Sequence, residues 1–265
     1  MALMSRFGGL HRGYLILGLA AYLAFVLINA PAAHLYAWSK DALQGMVQLE
    51  GVSGTIWDGH VDRLAAQGVS VDNLNWRLLP GALLSGEAAA RVRMDGGDAG
   101  LQVSAHVSWS GGESVQLKEV SVRGPLEQLQ RYAPAMPPGY RGNVTLDLDW
   151  LTLDNGRIAS MQGRGRIANL YAGVPLNAPL GDFSANLEAI SGGLRVKLAS
   201  LPGAAVELEA TLNLSTGGGY RLRGVIQAAQ KAAPQLKRNI GYLGKSGPGG
   251  RTPMNFSGVV PGAPW

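Results

Sequence analysis

The sequence predicts a mainly β protein: a curved antiparallel β-sheet meander, an open groove or sandwich-like, with a few short helices, preceded by one N-terminal transmembrane helix. Three observations predict this fold class. Apolar and polar residues alternate with a period of two through most of the chain beyond residue 50. Turn-forming glycine, aspartate and asparagine residues separate these runs at intervals of roughly ten residues. One uncharged apolar stretch of about 20 residues precedes them.

Length and composition set the class of the protein. The chain has 265 residues, of which 46% are apolar, 15% are charged and 38 are glycine. The roughly 230 residues beyond the apolar stretch are enough to bury a core without disulfides. The net charge of +5 is scattered along alternating segments, which argues against a nucleic-acid partner. The absence of cysteine excludes disulfides and thiolate metal sites.

The first element is a predicted transmembrane helix over residues 13–33. It contains no charged residue and lies between Arg12 and His34, which is the length that crosses about 30 Å of hydrocarbon. A cleavable signal peptide is the alternative, but its apolar core usually runs for only about 7 to 15 residues. The apolar side chains expected in the bilayer are those of Tyr14, Leu15, Leu17, Leu19, Tyr22, Phe25 and Leu27.

The charges that flank this segment predict its orientation. Arg6 and Arg12 precede it without an acidic residue, so residues 1–12 are expected to form a short cytoplasmic tail. Residues 34–50 are predicted to be a partly helical stalk, and residues 51–265 a periplasmic β-rich domain. The sequence thus predicts a single-pass protein of a bacterial inner membrane.

The strands follow from clean alternation, which is typical of antiparallel sheets with one dry face. In residues 144–150, for example, Trp150 is predicted to share the apolar face of Leu148. A slip in the apolar parity between Leu117 and Val120, and another between Val71 and Leu74, predict β-bulges. The other clear strands are residues 101–109, 194–200, 206–214 and 220–226.

Two segments interrupt the strands with helical spacing. One has Pro125 at a first-turn position, and the other carries Leu236, Ile240 and Leu243 on one face beyond Pro234. A short strand is predicted over residues 254–260.

Two sequences resemble nucleotide-binding motifs. Gly244-Lys245-Ser246 looks like the end of a phosphate-binding loop, but Asn239 stands where that loop needs glycine. Residues 163–168 fit a Gly-x-Gly-x-x-Ala dinucleotide pattern, yet they lie within alternating strand residues instead of opening a helix. We interpret this second motif as a glycine-bearing strand.

No set of residues forms a convincing reactive site. The histidines are far apart in sequence, which gives no metal-ligand spacing. Asp147 and Asp149 are predicted to share one strand face, and a solvated face explains them better than acid–base chemistry. We therefore predict no enzymatic activity, no catalytic residue, no cofactor and no metal.

One segment resembles a known family. Residues 54–59 read Gly-Thr-Ile-Trp-Asp-Gly, residues 74–80 form a Leu-x-Trp strand ending at proline, and paired leucines follow. This order resembles the type II secretion system protein N family, and the later layout of the chain is similar to it as well. The residues that carry the motif are Gly54, Trp57, Gly59, Leu74, Trp76, Pro80, Leu83 and Leu84.

The resemblance implies a function. It implies a non-enzymatic, inner-membrane accessory or scaffold component of the machine that exports folded periplasmic proteins across the outer membrane, with other secretion components as partners. The motif residues are expected to be structural, because glycines permit a tight hairpin and tryptophans hold a register. The alternative is a periplasmic lipid-binding or lipid-transfer protein with an apolar β-groove.

Overall fold

The computed structural model describes residues 18–19, 22, 25–26, 29–39, 47–66, 69–96, 100–129, 139–174, 176–241 and 247–259. These residues belong to two compact units that divide between Leu78 and Leu79. Each unit is built mainly from antiparallel β-strands.

Among its described residues, the first unit contains one complete helix and four strands, preceded by isolated residues with helical backbone. Strand β3 pairs with β4 in a register that runs from Asp58 opposite Arg77 to Ala66 opposite Val69, and it also pairs with β1 and β2. The register of β4 against β3 is continuous through this segment, and Asn73 within it has a φ of +52°. The bulge between Val71 and Leu74 therefore stays a prediction. The bounds are α1 Ala32–Ser39, β1 Val47–Glu50, β2 Ser53–Gly54, β3 Asp58–Ala66 and β4 Val69–Leu78.

The second unit is a meander. Strands β5 to β14 lie side by side in chain order, each antiparallel to the next, in one sheet rather than two stacked sheets. Their bounds are β5 Ala88–Asp95, β6 Gln102–Trp109, β7 Ser114–Pro125, β8 Arg141–Asp154, β9 Arg157–Ala172, β10 Ala178–Ile190, β11 Gly193–Ser200, β12 Val206–Ser215, β13 Gly219–Ala228 and β14 Thr252–Val259. The short helices are α2 Pro80–Leu83, α3 Leu126–Leu129 and α4 Pro234–Ile240. The predicted antiparallel meander with few short helices is therefore confirmed.

Bulges change which side chains reach the dry face. The bulge predicted between Leu117 and Val120 is confirmed, because β7 gains a residue against β6 at Glu119, whose φ is +51°. A second bulge in β8 moves Trp150 opposite Gln162, whereas Leu148 lies opposite Gly163. Trp150 therefore lies on the polar face and is 40% exposed. The prediction that it shares the face of Leu148 is wrong.

The main core of the second unit lies beneath α4. Leu236 and Ile240 are 2% and 3% exposed and pack into a cluster with Phe183, Val206 and Ile226 from the sheet. Pro234 occupies the first turn of α4, where its missing N–H costs no hydrogen bond. The helix predicted around Leu236 is thus confirmed, while Leu243 lies outside the described residues.

The predicted membrane segment is described only in part. Leu19, Tyr22, Phe25 and Val26 have helical backbone and are 45% to 64% exposed. Tyr14, Leu15, Leu17 and Leu27 lie outside the described residues. Within the described ranges, none of the helices has both the length and the apolar character needed to span a bilayer.

One carboxylate makes the stability of the second unit depend on pH. Asp182 accepts hydrogen bonds from the backbone N–H of Asn169 at 2.9 Å and from the Arg166 guanidinium at 2.6 Å. These bonds lower the pKa of Asp182 below its ordinary value, the Asn169 bond being the larger cause. Its stabilising contribution is therefore complete above the unfolded pKa of about 4 and is lost as pH falls through the folded pKa.

We expect Asp182→Asn to reduce stability near neutral pH and to flatten the loss of stability below about pH 4. Urea unfolding at a series of pH values measures this slope. Asp149→Asn is the matched control, since Asp149 forms no ion pair among the described residues. If the free energy of unfolding of Asp182→Asn depended on pH as it does in the wild type, the Asn169 and Arg166 contacts would not stabilise the fold.

Candidate functional site

The residues of the Gly-x-x-Trp-x-Gly motif form a tight turn between β2 and β3, which we call the tryptophan turn (residues 54–59). Gly54 has a φ of +78°, and a Cβ there would lie 2.5 Å from the carbonyl oxygen of Asp58. The Thr55 hydroxyl accepts hydrogen bonds from the N–H groups of Trp57 and Asp58 at 3.3 and 3.1 Å. Glycine at 54 is therefore required by the left-handed backbone and by the close approach of the chain.

Trp76 on β4 packs against the end of this turn and is hydrogen-bonded to it. It lies directly opposite Gly59 in the strand register, and its ring covers the space that a side chain at 59 would need. The indole Nε1–H donates to the carbonyl oxygen of Ile56 at 3.0 Å. Arg77, the next residue, forms a 2.7 Å ion pair with Asp58. The tryptophan turn, which includes Gly59, and Trp76 therefore pack tightly against each other.

The tryptophan turn also contacts the C-terminal end of the predicted membrane segment. The N–H of Ile56 donates to the carbonyl oxygen of Ala30 at 3.0 Å, and Pro31 forms an antiparallel bridge with Thr55. Farther along, the Tyr36 hydroxyl on α1 accepts a hydrogen bond from the N–H of Leu49 on β1 at 3.0 Å. These contacts fix residues 30–36 to the sheet of the first unit.

The remaining motif residues lie in the second unit, apart from Leu74. Leu74 lies opposite Val61, which is fully buried. Pro80 begins α2, while Leu83 and Leu84 are 52% and 94% exposed. The motif therefore combines residues packed in the first unit with two exposed leucines, which do not contribute to a core.

A second candidate site is the apolar face of the second unit. Through β5 to β14 the cross-strand partners on one face are almost all apolar or glycine, as in the row Leu148, Gly163, Leu187, Val196, Leu212. A cluster on this face, formed by Val120, Leu148, Met161, Leu194, Val196 and neighbouring apolar residues, comes from strands alone. In the described part of this unit, α4 covers a different cluster nearer the chain end.

The residues considered for chemistry are spread over the polar surface. His60 contacts Asp62 and Asn75, each at 3.0 Å, and His106 contacts Glu119 at 2.9 Å. Asp147 accepts a hydrogen bond from the Ser121 hydroxyl at 2.8 Å. No group of three or more metal-ligating side chains occurs within the described ranges.

Only one of the two nucleotide-like motifs lies within the described residues. Residues 163–168 lie within β9, so the interpretation of this segment as a glycine-bearing strand is confirmed. A Cβ at Gly163 would lie 2.6 Å from Cδ2 of Leu148, which explains the glycine as a packing requirement. Gly244, Lys245 and Ser246 lie outside the described residues.

Sequence reasoning missed the contacts of Ala30 and Pro31 with the tryptophan turn. Both residues fall inside the predicted apolar span, where their composition suggests bilayer or cleavage-site residues. One signal was available: Pro31 is an unfavourable residue within a helix, which argues against one continuous helix through residue 31.

Comparisons with known proteins give one consistent result. A family model described as type II secretion system (T2SS), protein N, matches residues 45–255. The chain is 29% identical over 246 residues to the type II secretion system protein N of Aeromonas hydrophila, covering 91% of this chain and 96% of that protein. It is 24% identical over 252 residues to that of Vibrio cholerae serotype O1, covering 94% and 98%. No solved structure matches.

Proposed function

The chain belongs to the type II secretion system protein N family and is thus a component of that system, and from this premise we propose that it is a non-enzymatic inner-membrane scaffold. In this role it supports the export of folded periplasmic proteins across the outer membrane. Other components of the secretion system are its protein partners. The residues after 33 lie in the periplasm, and residues 1–12 lie in the cytoplasm.

One observation supports the scaffold role: the backbone of the tryptophan turn is hydrogen-bonded to the chain near the end of the predicted membrane helix. The hydrogen bond from Ile56 to Ala30 and the bridge from Pro31 to Thr55 join that point directly to the strands of the first unit. A protein that positions its partners benefits from such a fixed connection, because rigid elements hold a binding surface in place. The residues that make these contacts, Thr55 and Ile56, lie between the motif residues Gly54 and Trp57.

The exposed apolar side chains beside this connection support an inner-membrane location. Leu35 and Trp38 on α1 are 54% and 82% exposed, and α1 carries no Asp, Glu, Lys or Arg. Tryptophan is enriched at membrane interfaces, where its ring bridges hydrocarbon and water. Helix α1 therefore lies against the periplasmic surface of the bilayer.

The experiment that tests this proposal is native mass spectrometry of the full chain, extracted gently from its own membrane after mild cross-linking. We expect other type II secretion components to be recovered with the chain. Recovery of the chain from the soluble fraction, or from the membrane without any secretion component, would contradict the scaffold role.

A lipid-binding function is the second candidate, and the apolar face of the second unit favours it. That face continues across β5 to β14, and apolar residues such as Leu146, Leu187 and Leu212 are only partly buried on it. A partly open apolar surface between packed strands suits an acyl chain. In this account the curved sheet forms a trough for the lipid.

Paired substitutions on neighbouring residues test the lipid candidate. Leu146 and Thr145 lie on opposite faces of β8. We expect Leu146→Gln to release a lipid that Thr145→Gln retains, because only the first variant places an amide on the apolar face. Mass spectrometry of both full-length variants in the same detergent measures the retained lipid. Equal lipid content in the two variants would contradict binding on this face.

A further inference from the structure

The sheet of the second unit ends at an unusual edge strand. Among the described residues, β14 pairs with β13 and no strand pairs with its outer side. The sequence of β14, Thr-Pro-Met-Asn-Phe-Ser-Gly-Val, contains no charged residue. Soluble proteins usually protect long edges with lysine, a bulge or a covering segment, because free N–H and C=O groups attract another strand. Pro253 provides such protection only near one end.

The polar face next to this edge is strongly basic. Arg221 and Arg223 lie on β13, opposite Asn213 and Thr211 of β12, and Arg195 and Lys197 lie one strand farther. The four cations mark a rectangle of about 7 by 10 Å, given the residue and strand spacings of a sheet. Lys197, Arg221 and Arg223 form no ion pair with any described residue. Two acidic residues adjoin the rectangle: Glu188, opposite Arg195, and Glu209, two residues before Thr211 on β12.

The acidic side chains of β12 limit where an anionic partner fits. Glu209 lies on the same face, opposite Val225, and Val225 lies opposite Pro253. Arg221 and Arg223 instead lie opposite Ser257 and Asn255. The basic surface thus adjoins the half of β14 beyond Pro253, which is the unprotected half. On the other face of that half, Phe256 is 40% exposed.

We propose that the outer edge of β14 accepts an additional β-strand from a protein partner, with acidic residues on the side of Arg221 and Arg223 and apolar residues on the side of Phe256. Backbone hydrogen bonds to the edge supply the binding, and the alternating side chains supply the selectivity. The inference rests on the proposed function, in that the partner is a protein component. A second copy of β14 is a poor occupant, because its sequence contains no acidic residue that could lie beside the basic rectangle of either copy.

The test uses the full chain in detergent and two labelled peptides of eight residues, one alternating valine with glutamate and one alternating valine with lysine. We expect only the acidic peptide to bind, as measured by fluorescence anisotropy. Arg221→Glu combined with Arg223→Glu is expected to weaken it by about tenfold or more, and added salt to weaken it too. Arg93→Glu combined with Arg157→Glu is the control, since it changes net charge equally on β5 and β9 and leaves β14 untouched.

Hydrogen exchange locates the bound peptide. Strand addition predicts greater protection at residues 254–259, because outward N–H groups there gain partners. Equal binding of the lysine peptide, absence of binding, protection elsewhere, or protection that rises with protein concentration without peptide would each overturn the proposal. The last result would identify a second copy as the occupant. The scaffold role is tested separately, by the recovery of secretion components with the chain. If those components are recovered but the peptide test fails, only the strand-addition proposal is contradicted.

Discussion

Gly59→Val is expected to destabilise the first unit by about 3 kcal/mol, at the upper end of the usual cost of overpacking. The Cβ at this position would overlap Cζ2 of Trp76 and lie 2.7 Å from Cε2 and Cη2. The ring has to leave β3, and the hydrogen bond from its Nε1 to the Ile56 carbonyl breaks. The loosened turn then also loses its hold on Ala30 and Pro31. Urea unfolding followed by tryptophan fluorescence measures the change.

Gly81→Ala is the matched control for this prediction. A Cβ at Gly81 meets no atom within 4 Å, and the backbone there has a negative φ. We expect wild-type stability for this variant. Wild-type stability in Gly59→Val would instead show that the packing of the Trp76 ring does not require a residue without a side chain at position 59.

Leu236→Ala is expected to cost about 2 to 5 kcal/mol in the second unit, the range for large-to-small substitutions in a packed core. Leu236 is 2% exposed and attaches α4 to the sheet residues Phe183, Val206 and Ile226. Truncation removes apolar contacts and leaves a cavity under a helix of only seven residues. Such a short helix depends on packing for its stability.

Thermal unfolding followed by circular dichroism measures this loss. Leu84→Ala removes the same atoms from a side chain that is 94% exposed, so we expect it to leave the transition unchanged. A similar loss in both variants would mean that burial beneath α4 does not determine the effect.

The fold class was predictable because alternation, turn residues and helix spacing report local backbone preferences directly. Strand β12, for example, carries Val206, Leu208, Ala210 and Leu212 on one face in both sequence and structure. The bulge near Glu119 was visible as a parity slip. The bulge in β8 was not, because Asp147, Leu148, Asp149 and Trp150 alternate without interruption. A bulge that follows no sequence irregularity is determined by neighbouring strands.

The candidate site was predictable in its residues but not in its contacts. The spacing of Gly54, Trp57 and Gly59 predicts a tight turn, and the structure adds the stacking of Trp76 on Gly59 and the grip on Ala30. These contacts join residues 17 and 26 positions apart in the chain, and periodicity carries no information about such pairs. The edge at β14 likewise emerges only once the strand order is known.

We propose that this protein supports export through the type II secretion system by a fixed connection between the membrane and the sheet of the first unit. The most direct test deletes its gene, restores the full chain or its variants at equal abundance, and measures a secreted cargo in the medium and in the periplasm. We predict that deletion retains cargo in the periplasm, that the wild-type chain and Gly81→Ala restore export, and that Gly59→Val does not. Normal export after deletion, or full restoration by Gly59→Val, would contradict the account.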